Sequence, residues 1–176
     1  MTRSERLVSA IARSVTAGGG IYAAFELAFL LDERPSPAFT KFLADCVKRG
    51  VLRRVAKGLY ESEVTPASPT LALYMIVNKL RPGVLNYISL ESELSHIGAI
   101  SQIPMDRLTV MTKGRKGTFD THYGCIEFTH TKKPLGSLEH RLYFDESVMM
   151  FRATEALARA DLISCQRNRH MLVAND

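Results

Sequence analysis

The sequence predicts an α+β fold: an N-terminal winged helix-turn-helix followed by a small mixed α/β domain. Three observations predict it. Within residues 1–62, three helical apolar patterns are followed by two short β-prone runs around a tight turn. Residues 63–69 (Glu-Val-Thr-Pro-Ala-Ser-Pro) interrupt the periodic pattern and read as a linker. Residues 70–176 then mix helical and strand-like segments.

The first helix opens with Thr2 and Glu5, a capping-box pair, and carries Leu7, Val8, Ile11 and Val15 on one face. Gly18-Gly19-Gly20 stops it. A second helix fits Ala23 to Leu31, with Asp32 to Pro35 as the turn after it. Ser36-Pro37 marks the start of the third helix, a polar cap followed by proline where its missing N–H costs nothing. Phe39, Phe42, Leu43, Cys46 and Val47 share its inner face, and Gly50 suits the left-handed residue beyond its end. Phe25 and Phe29 are expected to join Phe39 and Phe42 in the core. Val51 to Glu61 reads as a hairpin turning at Lys57-Gly58.

Beyond the linker, Ser68-Pro69 begins a helix that runs to Leu80 and ends at Arg81-Pro82-Gly83. Ser89 is placed to cap a helix from Leu90 to Ile97. Arg107–Thr112, Thr118–Asp120, Cys125–Thr131, His140–Phe144 and Met149–Ala153 read as strands. Thr154 to Ser164 reads as a helix. The last dozen residues, including Arg167, Arg169 and His170, read as a polar tail.

The chain has 176 residues, 46% hydrophobic and 23% charged, which is ordinary for a globular protein with a real core. No apolar run reaches the length of a membrane span, and Met1 to Glu5 has no apolar stretch of a secretory signal. Cys46, Cys125 and Cys165 are widely spaced, so neither a metal site nor a disulfide framework is expected. A cytoplasmic, reducing compartment is the expectation. The net charge of +5 is uneven. Residues 1–62 hold ten Lys/Arg against six Asp/Glu, a net of +4, whereas residues 63–176 hold thirteen against twelve. A basic first third suits a polyanionic partner.

That charge peaks between Lys48 and Lys57, where Lys48, Arg49, Arg53, Arg54 and Lys57 occur with no acid. In a winged helix the third helix enters the major groove and the hairpin follows the backbone. Lys48, Arg53, Arg54 and Lys57 are therefore expected on phosphates. Ser36, Thr40, Lys41 and Arg49 lie on or beside the third helix. Of these, Thr40, Lys41 and Arg49 are candidates for contacts to base edges. Gly58 is expected to allow close approach of the wing to the duplex. A second cluster, Lys113, Arg115 and Lys116 between two glycines, could extend a DNA footprint or form a mobile hairpin loop. It lacks a P-loop pattern.

No catalytic residue, metal or cofactor is expected. Asp120 and Glu127 raise a metal-nuclease reading, but a restriction-type site wants a lysine two residues after the second carboxylate, and Thr129 stands there. The five histidines form no HExxH or HxH pair. A protein-interaction module that pairs with a toxin or another regulator is the alternative to DNA binding.

Val51 to Tyr60 resembles the wing of AbiEi-type antitoxins, transcriptional regulators of type IV toxin–antitoxin systems. Tyr87 to Gly98 is similar to the S-x-x-S-A-L-x-x-H-G-like string that opens that family's second domain. Met111 to Arg115 fits the strand and basic turn that follow, and Ala153 to Ala158 is similar to an A-T-P-E-x-A-L motif without its proline. The likeness spans about residues 5 to 162. It implies a non-enzymatic repressor that binds inverted repeats in its own promoter, as a homodimer on DNA. It also implies opposition to a nucleotidyltransferase-like toxin.

Overall fold

The computed structural model describes residues 1–101 and 106–172. The fold is mixed α+β, in two compact units, Met1–Lys79 and Leu80–Asp176. The expected linker at 63–69 thus lies inside the first unit. The reason is packing. Ala67 is buried, and a Cβ added to Gly20 would fall 2.7 Å from its Cβ. Lys79 pairs with Glu26 at 2.6 Å. Two prolines here bend the chain without freeing it.

In the first unit, α1 (Arg3–Thr16) starts with the expected capping box: Glu5 N donates to Thr2 Oγ1, and Thr2 N donates to Glu5 at 2.6 Å. The next elements are β1 (Tyr22–Ala23), α2 (Ala24–Leu30), α3 (Pro37–Lys48), β2 (Leu52–Ala56), β3 (Leu59–Ser62) and α4 (Ala72–Leu80). β1 was not expected. Its two residues pair antiparallel with Leu59 and Tyr60, giving a three-stranded sheet in the order β1-β3-β2. Leu7, Ile11, Leu27, Phe39, Leu43, Cys46 and Leu52 form one core. Each such large apolar side chain contributes about 1.5–3 kcal/mol. Phe25 and Phe29 are not part of it, at 64% and 82% exposed. Leu27, Ala28 and Leu31 take the inward face of α2, so residues at 25 and 29 emerge on the opposite one.

The second unit holds β4 (Asn86–Ile88), α5 (Leu90–His96), β5 (Arg107–Thr112), β6 (Gly117–Thr121), β7 (Gly124–His130), α6 (Leu135–Leu138), β8 (Leu142–Asp145), β9 (Met150–Ala153) and α7 (Glu155–Ser164). One six-stranded sheet runs in the order β6-β7-β5-β4-β9-β8. Its hairpins are antiparallel, while β5 with β7 and β4 with β9 are parallel. Tyr87, Leu90, Leu94, Met111, Leu157, Ala158 and Leu162 join the sheet to α5 and α7.

Buried carboxylates are matched with donors. Asp161, fully buried, accepts from Tyr87 Oη at 3.1 Å, Ser89 Oγ at 2.7 Å and Lys133 Nζ at 2.5 Å. Ser89 therefore does not cap α5 with its side chain; the buried Asp161 takes its hydroxyl instead. Glu93 pairs with buried Arg152 at 2.9 Å and accepts from Tyr143 at 2.7 Å. The expected polar tail is also anchored: Arg167 bonds both Glu91 and Glu127, and Asn168 bonds Glu91 at 2.8 Å. Residues 173–176 of that tail lie outside the described residues.

Candidate nucleic-acid interface

α3 is held by its ends and by one face. Phe39 N donates to Ser36 Oγ at 3.1 Å, Pro37 opens the first turn, and Gly50 follows the helix with φ of 68°. Ser36 thus spends its hydroxyl on the cap. Phe39, Leu43 and Cys46 are buried, so the helical repeat turns Pro37, Lys41, Ala44 and Lys48 outward. Thr40 is exposed beside them, its Oγ1 donating to Ser36 O at 3.2 Å. Small Ala44 at the middle of this face leaves Lys41 and Lys48 as its reaching groups.

The entry to α3 is fixed by Arg3. Its guanidinium lies 4.1 Å from the Phe42 ring centre and 5.4 Å from that of Phe39, and it pairs with Glu33 in the turn before α3. That hydrogen bond holds the Glu33 carboxyl below its ordinary pKa. Arg49, just past the helix, is exposed, and its Nη2 donates to Ser4 Oγ at 2.6 Å.

The hairpin separates two adjacent arginines. Arg53 stands across from Glu61 in the ladder, and its Nε lies 3.0 Å from Glu61 Oε1 and 3.7 Å from Glu63 Oε1. Glu61 is fully buried and also accepts from Ala67 N at 3.3 Å. Arg53 is therefore a counter-ion to a buried carboxylate, a role the sequence does not show beside its expected phosphate contact. A bulge follows, where the pairing steps from Arg54–Tyr60 to Ala56–Leu59. The extra residue, Val55, turns into the core and Arg54 into solvent. Lys57 and Gly58 make the two-residue turn. Gly58 has φ of 74°, and a Cβ there would meet nothing within 4 Å, so backbone conformation is what the turn takes from glycine.

Lys41, Lys48, Arg54 and Lys57 are exposed and make no ion pair among the described residues. Four unneutralised cations on one helix face and one hairpin can attract a polyanion and release its counterions.

In the second unit, Lys113 is half-buried and bonded internally: its Nζ donates to Thr131 O at 3.2 Å and Lys133 O at 3.0 Å. Arg115 and Lys116 are exposed. Asp120 and Glu127 lie on paired strands, but Glu127 is held by Arg167 and by Arg107 at 2.9 Å, which lowers its pKa. Among the described residues no group of His, Cys, Asp or Glu is arranged to hold a metal ion. None of their helices is long and apolar enough to cross a membrane.

The class these elements define is a two-unit α+β protein, with a helix-rich first unit carrying a small sheet and a second unit built on a six-stranded sheet. The sequence matches no family model and no curated protein. Among solved structures it is similar to the crystal structure of the Rv2827c protein from Mycobacterium tuberculosis, with 14% identity and a TM-score of 0.54. That similarity covers 94% of this chain and 53% of the other, so the chain spans about half the length of that protein. At this identity the likeness is one of fold.

Proposed function

We propose that the first unit is a winged helix-turn-helix that binds double-stranded DNA. On this reading α3 is the recognition helix and the β2–β3 hairpin is the wing. The observation that carries it is the set of four exposed, unpaired cations on those two elements: Lys41, Lys48, Arg54 and Lys57. Element order supports it, because a helix, a turn, a second helix and a hairpin is how winged helices present a helix to the major groove. Lys48, Arg54 and Lys57 contact phosphates. Thr40, Lys41 and Arg49 are the candidates for contacts to base edges.

The wider reading is a non-enzymatic repressor of the AbiEi antitoxin type in the cytoplasm. It acts on inverted repeats of its own promoter as a homodimer and opposes a nucleotidyltransferase-like toxin. Its support is the likeness of Val51–Tyr60 and Tyr87–Gly98 to that family.

A salt titration of duplex binding tests the proposal. Arg54→Ala with Lys57→Ala should flatten the slope of log K against log salt by about 0.9 for each phosphate left unneutralised. Binding should weaken alike on all sequences. An unchanged slope removes the wing from the interface.

A further inference from the structure

We infer that the second unit carries a rigid platform for nucleic-acid phosphates at one end of its sheet, made by Arg115, Lys116 and Lys132. Three strands bring it together. Parallel β5 and β7 end side by side at Thr112 and His130, and β6, antiparallel to β7, starts beside them at Gly117. The loops leaving β5 and β7, residues 113–116 and 131–133, therefore meet. They supply Lys113, Arg115, Lys116, Lys132 and Lys133, and no carboxylate.

Two of those five cations are consumed internally. Lys113 bonds the carbonyls of Thr131 and Lys133, and Lys133 pairs with Asp161. Arg115, Lys116 and Lys132 are exposed and have no ion pair among the described residues.

The inner two cations stiffen what the outer three stand on. Lys113 stitches one loop to the other. Gly114 N donates to Thr112 Oγ1 at 2.9 Å, and Gly114 O lies 2.8 Å from His130 Nδ1. Arg81 Nε donates to Arg115 O at 2.9 Å, while the Arg81 guanidinium sits 5.1 and 4.9 Å from the ring centres of Phe119 and Phe128. A Cβ at Gly114 would come within 3.2 Å of both Val84 Cγ2 and Thr112 Oγ1, so the turn is packed down on its neighbours. A turn tied at this many points is not a mobile hairpin loop. It fixes the backbone that carries the three cations before any partner arrives, so binding has to order only their side chains.

The partner chemistry follows from composition. Protein interfaces are depleted in Lys and centred on large apolar side chains. Residues 113–116 and 131–133 present Lys and Arg and no large apolar group. That suits the phosphates of a duplex backbone, contacted without regard to sequence. The inference rests on DNA being this protein's ligand, as proposed above.

The test uses the full chain on a labelled duplex across a salt titration, with two variants side by side. One is Arg115→Ala/Lys116→Ala/Lys132→Ala. The other is Arg54→Ala/Lys57→Ala. All five side chains are exposed and unpaired, so unchanged melting is expected of both variants. The platform predicts that the triple variant flattens the salt slope by about 0.9 per phosphate released. If only the Arg54/Lys57 variant flattens it, the platform is overturned and the winged-helix reading stands. If only the triple variant does, the wing fails and the platform stands. If neither does, or the wild type binds no duplex, both fail. Wild-type binding to polyglutamate that the triple variant loses, with the DNA slope unchanged, would make the surface an acidic-protein site and overturn the inference.

Discussion

Arg53 and Arg54 are neighbours with different work, and their removal should have different consequences. Arg53→Ala leaves the buried Glu61 without its 3.0 Å partner. Glu61 keeps its hydrogen bond from Ala67 N, so the loss is that of one hydrogen bond to a charged group, about 1.5–3 kcal/mol, and this variant should melt measurably lower. Arg54→Ala, at an exposed and unpaired position, should stay within about 0.5 kcal/mol of the wild type. Replacing Glu61 by Gln in the Arg53→Ala background should recover part of the loss, because a neutral amide is less costly than a carboxylate to keep buried once the Arg53 ion pair is gone. Equal melting of the two single variants would contradict the pairing. Sequence alone made these arginines equivalent, since both stand in one basic run. Two facts that periodicity does not carry separate them: the ladder register that sets Arg53 opposite Glu61, and the bulge at Val55 that breaks alternation.

At the scale of elements, the hairpin of β8 and β9 shows how charge is used as a fastener. Arg152 is 4% exposed and lies between Glu93 and Asp145, at 2.9 and 2.6 Å. Hydrogen bonds from Ser147, and then from Arg152, hold the Asp145 carboxyl down to a pKa of about 2. An unfolded aspartate titrates near pH 3.9. The folded value is the lower one, so this carboxylate stabilises the fold above about pH 4, and that contribution disappears as pH falls through about 2. The melting temperature should therefore fall between pH 4 and pH 2. Asp145→Asn should be less stable at neutral pH and show a shallower fall over that range. A parallel fall in both proteins would assign the acid sensitivity elsewhere.

Helices α1 and α3 are legible from sequence because their signals are local: the Thr2–Glu5 capping box, Ser36-Pro37 and Gly50 act within a turn of the residues they define. The four-residue α6 and the three-residue β4 carry no such signal and are not expected from the sequence. Neither is the two-residue β1, because it exists only through its pairing with Leu59 and Tyr60. Phe25 and Phe29 misled because hydrophobicity does not say which side of a seven-residue helix finds a core. For the candidate interface, composition located the cations, but only tertiary packing shows that Arg53 and Lys113 are spent inside the protein while Lys132 is not.

Over the whole molecule, the two units differ in how far apart in sequence their paired residues lie. In the first, one strand pair is a hairpin closed by two residues and the other joins Tyr22 to Tyr60. The second has β4 between β5 and β9, and its parallel partner is Phe151 for Tyr87 and Arg152 for Ile88. Closing that pair means enclosing most of the unit in one loop, and non-local pairing of this kind slows folding. On a ribosome, residues 1–79 have emerged well before β9 is made. The six-stranded sheet meanwhile waits with the β9 side of β4 open, an unpaired edge that invites association. Pulse-labelled hydrogen exchange during refolding should find the amides of α1, α3 and the β2–β3 hairpin protected before those of β4 and β9. Simultaneous protection would mean that the late strand does not set the pace. Protection of β4 only once β9 has paired would make the last quarter of the chain a kinetic gate on the second unit.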